Sequence, residues 1–349
     1  MRILQIMAGR GQGGAETYSV DVMLSLHAAG VDQCVVVAPD APRTVELIAA
    51  GLRVNTDVLR SRFRFIRRWR LAQLIATEKP DLIHCWMRRA ASLIPSWKDG
   101  PVIGWFGGYY DPANFKRCTQ FVGVTQGIVD HMRQKGVPAE HSHYVPTFPD
   151  VRDEAPVDRT TLDTPHGAPV VLALSRLHPK KGLDTLLKAA AQIEGLYVWL
   201  AGEGPLRQEL EKLTRKLGLT ERVRFLGWRT DRGALLRSAD ICALPSRYEP
   251  FGTVILEAWA AGTPFVAAMS AGPAAHVLDG ENGLLVPIDD VDALTSALRR
   301  VIEDEPLRRR IIVNGFDTYS RTYTRKAVTE RIIALYQRMI ASFSGRSAV

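Results

Sequence analysis

The sequence predicts an α/β protein made of two doubly wound domains, each built on a parallel sheet. Three observations lead to this prediction. The chain has 349 residues, a length typical of about two domains. Short apolar runs are continuous rather than alternating, as expected for strands buried on both faces of a parallel sheet, and longer amphipathic runs separate them. This rhythm stops once, near residue 151, and then starts again.

The first half of the chain, residues 1–150, is predicted to form one domain. A strand at 3–7 ends in a glycine-rich turn, and apolar residues at helical spacing follow in 15–29. A second continuous apolar strand, with the sequence QCVVVA, covers 33–38. The remaining elements predicted for this half are strands at 81–85, 101–105 and 120–125, and helices at 65–78 and 127–135.

Residues 151–166 are predicted to be a linker, because prolines and acidic residues replace the apolar runs there. The second predicted domain covers 167–320, and the final segment, 321–349, carries a long amphipathic helix that is expected to pack back on the first domain. Ligands of doubly wound sheets bind at the carboxyl ends of the strands. The second domain is predicted to contain strands at 170–175, 197–201, 223–226, 241–244, 264–268 and 284–286, and helices at 183–193, 205–217, 231–238, 253–261 and 291–303.

The composition limits the partners and the compartment. There are 45 basic and 37 acidic residues, a formal net charge of +8, which leaves nucleic acid, anionic lipid and phosphorylated small molecules open as partners. No apolar run is long enough to span a bilayer, and the first apolar run is too short for a signal peptide, so we expect a cytoplasmic protein. The four cysteines form no CxxC pair and are predicted to be buried thiols.

The glycine-rich turn after the first strand is the first candidate site. Gly9, Gly11 and Gly14 match G-x-G-x-x-G between a strand and a helix. Glycines at this place let backbone N–H groups approach a phosphate at the helix N-terminus, and Asp40 follows the next strand, where an acidic residue binds a ribose. The motif leaves two alternatives open: a turn that needs glycine for packing, or a loop that binds phosphate or sugar.

The second half contains two more specific pairs. Arg176 and Lys181 lie five positions apart between a strand and a helix, where a forked guanidinium and an ammonium group can bind a diphosphate. The alternative for this pair is a solvated basic turn. Glu249 and Glu257 are separated by seven residues. Glu249 precedes a helix, and Glu257 lies inside its apolar run, where a carboxylate needs polar partners such as hydroxyl groups.

These motifs, taken together, resemble those of the retaining GT-B glycosyltransferases of family 4. The resemblance is strongest over 172–290 and includes the Arg176 and Lys181 element and the Glu249 and Glu257 pair. It also includes GEGP at 202–205, FLG at 225–227 and NGLLVP at 282–287, while GGAE at 13–16 is similar to the family's N-terminal glycine loop. The resemblance implies a GT-B fold, in which two Rossmann-like domains face a central cleft.

The resemblance also implies a reaction and a set of site residues. The reaction is metal-independent transfer from a UDP-, GDP- or ADP-sugar with retention of configuration and without a cofactor. Arg176 and Lys181 would hold the diphosphate, Glu249 would lie near the donor sugar, and these three are the implied catalytic residues. Glu257 would bind the ribose hydroxyls. The implied donor-binding residues are Gly13, Gly14, Arg176, Lys181, Glu249, Phe251, Gly252, Thr253, Val254 and Glu257.

Other positions depart from the family pattern or allow two interpretations. Many family members have a histidine in the loop after the strand at 101–105, whereas this chain has Gly107 and Gly108, which become candidate acceptor residues. His84, predicted to end its strand, is either an acceptor-binding or a structural histidine. Asp290 forms a D-x-D sequence with Asp292, and these carboxylates are predicted to cap a helix rather than to bind a metal.

A basic, aromatic segment at 60–70 points to a membrane surface. It holds six arginines interleaved with large apolar side chains, a composition that suits anionic lipid head groups. The alternatives are a solvated basic helix or a patch for acceptor phosphates. Since no RNA-binding module accompanies the segment, nucleic acid is not a predicted partner. The predicted membrane contacts are Arg64, Phe65, Arg67, Arg68 and Trp69.

The function predicted from the sequence is retaining glycosyl transfer from a nucleotide sugar to a saccharide or lipid-linked saccharide. The expected setting is biosynthesis of lipopolysaccharide core or envelope polysaccharide, on the inner face of the cytoplasmic membrane. Two alternatives stay open. The first is an NAD-dependent oxidoreductase that uses the glycine-rich turn, and the second is a non-catalytic adaptor that binds a sugar nucleotide.

Overall fold

The structure, a computed structural model, describes residues 1–9, 11, 14–41, 43–151 and 153–346. The chain divides into two compact units. Unit 1 combines Met1–Thr147 with the C-terminal segment that begins at Arg325, and unit 2 consists of Phe148–Thr324. Each unit contains one parallel sheet with helices around it.

Unit 1 is built on a seven-stranded sheet with the order β3-β2-β1-β4-β5-β6-β7. The strand pairs of this sheet are parallel throughout its described residues. The strands are β1 (Arg2–Met7), β2 (Asp32–Val37), β3 (Arg53–Asn55), β4 (Leu82–Trp86), β5 (Val102–Phe106), β6 (Gln120–Gly123) and β7 (Ser142–Tyr144).

The central strands of unit 1 explain the continuous apolar runs of the sequence. In β1 and β2 every residue after the first is buried, and in β4 and β5 every residue is buried. A strand that is buried on both faces has no solvent side, so its sequence does not alternate. The prediction of a parallel sheet from these runs is therefore confirmed.

The helices of unit 1 include the last helix of the chain. Its buried side chains include Val328 and Ile332, and the Thr329 hydroxyl lies 2.6 Å from that of Ser25 on the first helix. The C-terminal helix is thereby packed within unit 1. The helices are α1 (Gly14–Ala28), α2 (Thr44–Ala49), α3 (Asp57–Arg60), α4 (Arg64–Glu78), α5 (Met87–Ala91), α6 (Gln126–Gln134) and α14 (Arg325–Arg346).

Unit 2 is built on a six-stranded parallel sheet with the order β10-β9-β8-β11-β12-β13. Its strands are β8 (Val170–Leu174), β9 (Tyr197–Ala201), β10 (Val223–Gly227), β11 (Ile241–Leu244), β12 (Phe265–Ala268) and β13 (Leu284–Val286). Its helices are α7 (Leu183–Ala191), α8 (Arg207–Lys216), α9 (Arg232–Ser238), α10 (Thr253–Ala261), α11 (Ala271–His276), α12 (Val291–Glu303) and α13 (Glu305–Thr322).

The segment predicted to be a linker belongs to unit 2 and packs against its sheet and helices. The Arg159 guanidinium donates to the carbonyl oxygens of Ser238 and Ala168 and pairs with Asp240 at 3.0 Å. The Trp199 indole N–H donates to the Thr164 hydroxyl at 3.0 Å. These bonds hold the part of the segment after residue 152 on the body of unit 2.

Two smaller predictions can be compared directly with the structure. All four cysteines are buried, as predicted. Asp290 caps α12, since its carboxylate accepts a hydrogen bond from the Ala293 N–H at 2.9 Å, and Asp292 accepts one from the side chain of Gln192. Among the described helices none is long and apolar enough to cross a bilayer.

Candidate active site

The candidate site lies at the carboxyl ends of the central strands of unit 2. The chain continues outward from β8 to β9 and β10, and then returns to the other side of β8 with β11. The loops after β8 and β11 therefore leave neighbouring strands and run toward opposite halves of the sheet. Such a switch point is where doubly wound sheets bind their ligands.

A glycine lets these two loops touch. Gly182 has a φ of +62°, and a Cβ atom built on it would lie 2.0 Å from the carbonyl oxygen of Pro245. Only glycine fits at this position, because a side chain would clash with backbone and would also disfavour the left-handed conformation. The Tyr248 N–H donates to the carbonyl oxygen of Lys180 at 3.2 Å, which joins the loops a second time.

The close approach brings together two of the residues singled out in the sequence. The Lys181 ammonium lies 2.5 Å from the Glu249 carboxylate, and both side chains are largely buried. Arg176 lies two positions after the end of β8 and is exposed. The site therefore combines a partly buried, paired cation with an exposed guanidinium on the same loop.

The N-terminus of α10 lies directly after Glu249. Gly252, with a φ of +87°, precedes the helix and provides no side-chain cap. Thr253 and Val254 form the first turn, where N–H groups lack intrahelical partners and the helix dipole favours negative charge. Phe251 is buried against the ring of His276, with centroids 4.5 Å apart, which fixes the preceding loop.

Three buried hydroxyl groups line the same strand ends. Ser175 follows β8, Ser246 follows β11, and Ser270 follows β12. None of the three hydroxyl oxygens has a hydrogen-bond partner among the residues that the structure describes. Since buried polar atoms in proteins nearly always have partners, these hydroxyls are placed to bond a polar ligand or water.

Glu257 lies two turns into α10 and is 1% exposed. One carboxylate oxygen lies 2.6 Å from the guanidinium of Arg232, at the start of α9, and the other has no partner within the described chain. Burial raises the pKa of Glu257, the positive charge of Arg232 opposes that rise, and the charge of Asp150 adds to it. Sequence reasoning missed Arg232, because a cation 25 positions away carries no signal of this pairing.

A second residue that the sequence did not reveal is Arg247. It donates to the carbonyl oxygen of Pro179 at 2.7 Å and pairs with Asp184 at 2.9 Å and Asp289 at 2.8 Å. The hydrogen bond from Arg247 lowers the pKa of Asp289. Burial alone would raise the pKa of Asp184, but the hydrogen bond and the charge of Arg247 outweigh burial and lower this pKa. Arg247 thus ties the loop before Glu249 to the loop that carries Lys181.

We expect replacement of Arg247 with methionine to destabilise unit 2 by about 1–2 kcal/mol, because two charge-assisted pairs are lost but both are partly screened by water. The melting temperature should fall by about 2–8 °C at neutral pH. The pKa of Asp289 is lowered in the folded protein. The stabilisation from its pair with Arg247 is therefore fully present above the unfolded carboxyl pKa of about 3.9, and it is lost as the pH falls through the pKa of Asp289 in the folded protein. The difference between wild type and variant, measured by circular dichroism, should therefore shrink below pH ~4.

The control for this experiment is replacement of Arg300, an exposed arginine of α12, with methionine. We expect no change in melting temperature for this variant. An equal loss in both variants would contradict the role given to Arg247.

The predicted site residues of unit 1 are placed as follows. Gly13 lies outside the described residues, and Gly14 begins α1 and is exposed. Gly107 and Gly108 follow β5, and a Cβ atom on Gly107 would have no described atom within 4 Å. The loop is therefore open at Gly107, and Tyr109, which follows, packs its ring against His131 at 5.5 Å.

The prediction that His84 ends its strand is wrong, and of its two interpretations the structure supports the structural histidine rather than the acceptor-binding one. The strand continues to Trp86, and His84 has no exposed surface. Its Nδ1 atom lies 2.6 Å from the Tyr336 hydroxyl, and its ring stacks on Trp86 with centroids 4.2 Å apart. Burial lowers the pKa of His84 to about 3, so it is a neutral structural histidine. Sequence position alone could not show that the C-terminal helix covers it.

The basic segment runs from the last residue of α3 into the first turns of α4, and its aromatic side chains point to solvent. Phe63, Phe65 and Trp69 are 48%, 71% and 63% exposed, while the helix is anchored by the buried Leu71 and Ile75.

Three arginines of this segment also donate hydrogen bonds to backbone carbonyl oxygens. Arg64 donates to the carbonyl oxygen of Ser92 at 2.8 Å, Arg67 to that of Ser61, and Arg70 to that of Asp57 at 2.6 Å. The bond to Ser92 joins α4 to the segment after α5, and α5 carries the exposed Arg88 and Arg89.

Comparison with known proteins identifies the family. The model described as glycosyl transferases group 1 matches residues 155–318, and the model described as glycosyltransferase family 4 matches residues 12–153. Two relatives from Rhizobium meliloti (strain 1021) are similar over the whole chain. One is the lipopolysaccharide core biosynthesis glycosyltransferase LpsE, 35% identical over 96% of this chain and 98% of the relative. The other is the corresponding glycosyltransferase LpsD, 32% identical over 98% and 99%.

A solved structure supports the fold. The crystal structure of HepE from Anabaena in complex with UDP and glucose superposes with a TM-score of 0.81, at 23% sequence identity, over 97% of this chain and 99% of that protein. The two parallel-sheet units and this likeness confirm the predicted GT-B fold. The chain belongs to the GT-B glycosyltransferases of family 4, with the group 1 glycosyltransferase domain in its second half.

Proposed function

We propose that the protein transfers a sugar from a nucleoside-diphosphate sugar to a saccharide or lipid-linked saccharide of the lipopolysaccharide core, with retention of configuration. The observation that carries the proposal is the pair of Lys181 and Glu249 at the N-terminus of α10, 2.5 Å apart. The names of the relatives LpsE and LpsD support the lipopolysaccharide setting.

The proposed donor site uses the residues at the carboxyl ends of β8 and β11. Lys181 and Arg176 bind the diphosphate, and the N–H groups from Gly252 to Val254 add to its binding. Glu249 lies beside the sugar hydroxyls. Lys181 stands between this carboxylate and the phosphates, so its ammonium group reduces the repulsion between the two negative groups. Glu257 accepts hydrogen bonds from the ribose, and Gly13 and Gly14 stay the donor-binding candidates of the glycine-rich turn.

In the proposed reaction the acceptor hydroxyl oxygen attacks the anomeric carbon on the face that the diphosphate leaves. The bond between that carbon and the diphosphate oxygen breaks, its electron pair stays on the diphosphate, and a diphosphate oxygen takes the acceptor proton. Negative charge therefore grows on the leaving group. Preorganised cations and N–H dipoles stabilise such charge, and each is worth about 100- to 1000-fold in rate.

Because side chains and backbone supply this stabilisation, we expect activity to persist in EDTA. The measurement compares initial rates of nucleoside-diphosphate release before and after chelation and dialysis. Complete loss of activity, restored by Mn²⁺ or Mg²⁺, would contradict the proposed metal independence and would direct attention to Asp290 and Asp292.

The experiment that tests the proposed function has two stages. A thermal-shift screen with UDP-, GDP- and ADP-sugars first selects the donor. UDP-glucose is the starting candidate, since HepE was solved with UDP and glucose. The selected donor is then incubated with truncated lipopolysaccharide core acceptors, and the product linkage is read by NMR. Transfer with retention supports the proposal. Donor binding without transfer to any acceptor supports the adaptor alternative instead, and binding of NADH supports the oxidoreductase.

We further propose that the start of α4 binds the anionic inner face of the cytoplasmic membrane, where a lipid-linked acceptor would lie. The exposed rings of Phe63, Phe65 and Trp69 suit insertion between head groups. Arg64 and Arg68, with Arg88 and Arg89 of α5, provide the positive charge that anionic lipids attract.

A further inference from the structure

We propose that Arg232 is a positioning residue that orients the Glu257 carboxylate so that it recognises the ribose of the donor. The proposal rests on the proposed function, because it assumes that Glu257 binds the ribose. It assigns Arg232 the task of fixing one carboxylate oxygen so that the other is presented to the ribose hydroxyls.

The geometry of the pair separates the two carboxylate oxygens. The Arg232 Nη1 atom donates to Oε1 of Glu257 at 2.6 Å. Oε2 is buried and has no donor within the part of the chain that the structure describes. A buried carboxylate oxygen without a donor is costly. A ribose hydroxyl supplies the missing donor.

The bond to Arg232 also restricts the rotation of the carboxylate. The last torsion of a glutamate side chain is broad, so a free carboxylate would sample many orientations. Holding Oε1 at the start of α9 fixes the plane of the group and therefore the direction of Oε2. The Arg232 side chain is 38% exposed and that of Glu257 is 1% exposed, so the guanidinium lies between the carboxylate and solvent.

The charged surroundings of Glu257 make this bond necessary. Burial and the charge of Asp150 favour the protonated carboxyl group, whereas Arg232 favours the carboxylate. The nearby thiol of Cys242 stays neutral, because burial and the charge of Glu257 raise its pKa. A protonated carboxyl group would lose acceptor capacity toward the ribose. Arg232 thus preserves both the charge and the orientation that recognition of two hydroxyls requires.

The experiment measures nucleotide binding by the full chain with calorimetry. The probes are UDP and its 2′-deoxy and 3′-deoxy analogues, or the same set for GDP or ADP if the donor screen selects that base. We expect wild type to bind the ribonucleotide about 10- to 100-fold more tightly than a deoxy analogue, as for a hydrogen bond to a charged group. Arg232→Met and Glu257→Gln should each bring this affinity ratio most of the way to one.

Three further variants make the result decisive. Arg232→Lys keeps a cation and should recover part of the ratio, even if Arg232→Met folds poorly. The double variant of Arg232→Met and Glu257→Gln should lose no more than either single variant, because both act on one interaction. Arg229→Met removes a neighbouring arginine that pairs with Asp231 at 2.5 Å, and should leave the ratio unchanged.

The contradicting outcomes are distinct. If Arg232→Met keeps the wild-type ratio, Arg232 does not act through Glu257. If Arg232→Met weakens the binding of the ribonucleotide and of the deoxy analogues equally, Arg232 contacts another part of the nucleotide. Both results overturn the inference and leave the proposed function intact. If wild type binds none of the three nucleoside diphosphates, the proposed function fails and the inference fails with it.

Discussion

Replacement of Lys181 with alanine is expected to lower kcat/KM about 100- to 1000-fold, the usual cost of removing one group that stabilises developing charge. Lys181 lies 2.5 Å from Glu249 and is held there by the contact of the Gly182 and Pro245 loops. Without the ammonium group, the departing diphosphate would meet the Glu249 carboxylate directly. The loss should therefore fall mainly on kcat, measured with saturating donor.

The matched control is Lys180→Ala. Lys180 is the adjacent lysine, is exposed, and lies over the ring of Tyr248 at 4.6 Å. It should keep near wild-type activity. Circular dichroism on both variants checks the fold, and Lys181→Met provides a second variant that keeps the apolar stem. Near wild-type turnover by folded Lys181→Ala enzyme would contradict the role of Lys181.

Binding to lipid vesicles tests the membrane contact proposed for the start of α4. Wild type is expected to co-sediment with vesicles that contain phosphatidylglycerol and not with pure phosphatidylcholine. Each arginine near an anionic surface contributes about 1 kcal/mol, and the exposed Phe65 and Trp69 add apolar insertion. Binding should weaken as salt is raised, because the charges are screened over about 10 Å at 0.1 M salt. Changing Arg64, Arg67 and Arg68 to glutamate should abolish it and leave nucleotide binding unchanged.

The control changes three exposed arginines of unit 2, Arg300, Arg309 and Arg321, to glutamate. This variant has the same net charge as the test variant and should still bind anionic vesicles. If wild type does not bind at low salt, or if both triple variants lose binding equally, the start of α4 is not a membrane surface. The alternative of an acceptor-phosphate patch would then be tested with phosphorylated saccharides.

The sequence was sufficient to predict elements whose pattern is local. The bounds of β9, β11, α10 and α12 agree with the predictions, because continuous apolar runs and helical spacing directly reflect burial. The helix α13 was missed, although it is 18 residues long. Few of its residues are buried, among them Leu307 and Ile311, so it lacks a clear apolar stripe. The strands β3 and β7 were missed because each has three residues, which is too short for a recognisable run of apolar side chains.

The candidate site was predictable only as separate motifs. The motif spacing identified Lys181 and Glu249, but it could not show that their side chains pair. That contact depends on strand order, which places β11 next to β8. The partners of Glu257 and Arg247 lie many positions away in sequence, so their pairing arises from tertiary structure alone. His84 shows the same limit, since its burial depends on Tyr336 of the last helix.

Hydrogen–deuterium exchange of the full chain, with and without the nucleoside diphosphate selected by the donor screen, tests whether the carboxyl ends of β8 and β11 bind the diphosphate of the donor. We predict slower exchange in peptides that cover residues 175–182 and 249–257, because ligand contacts suppress local opening. Unchanged exchange in both segments at saturating nucleotide, with protection elsewhere or nowhere, would show that the diphosphate does not bind at these strand ends.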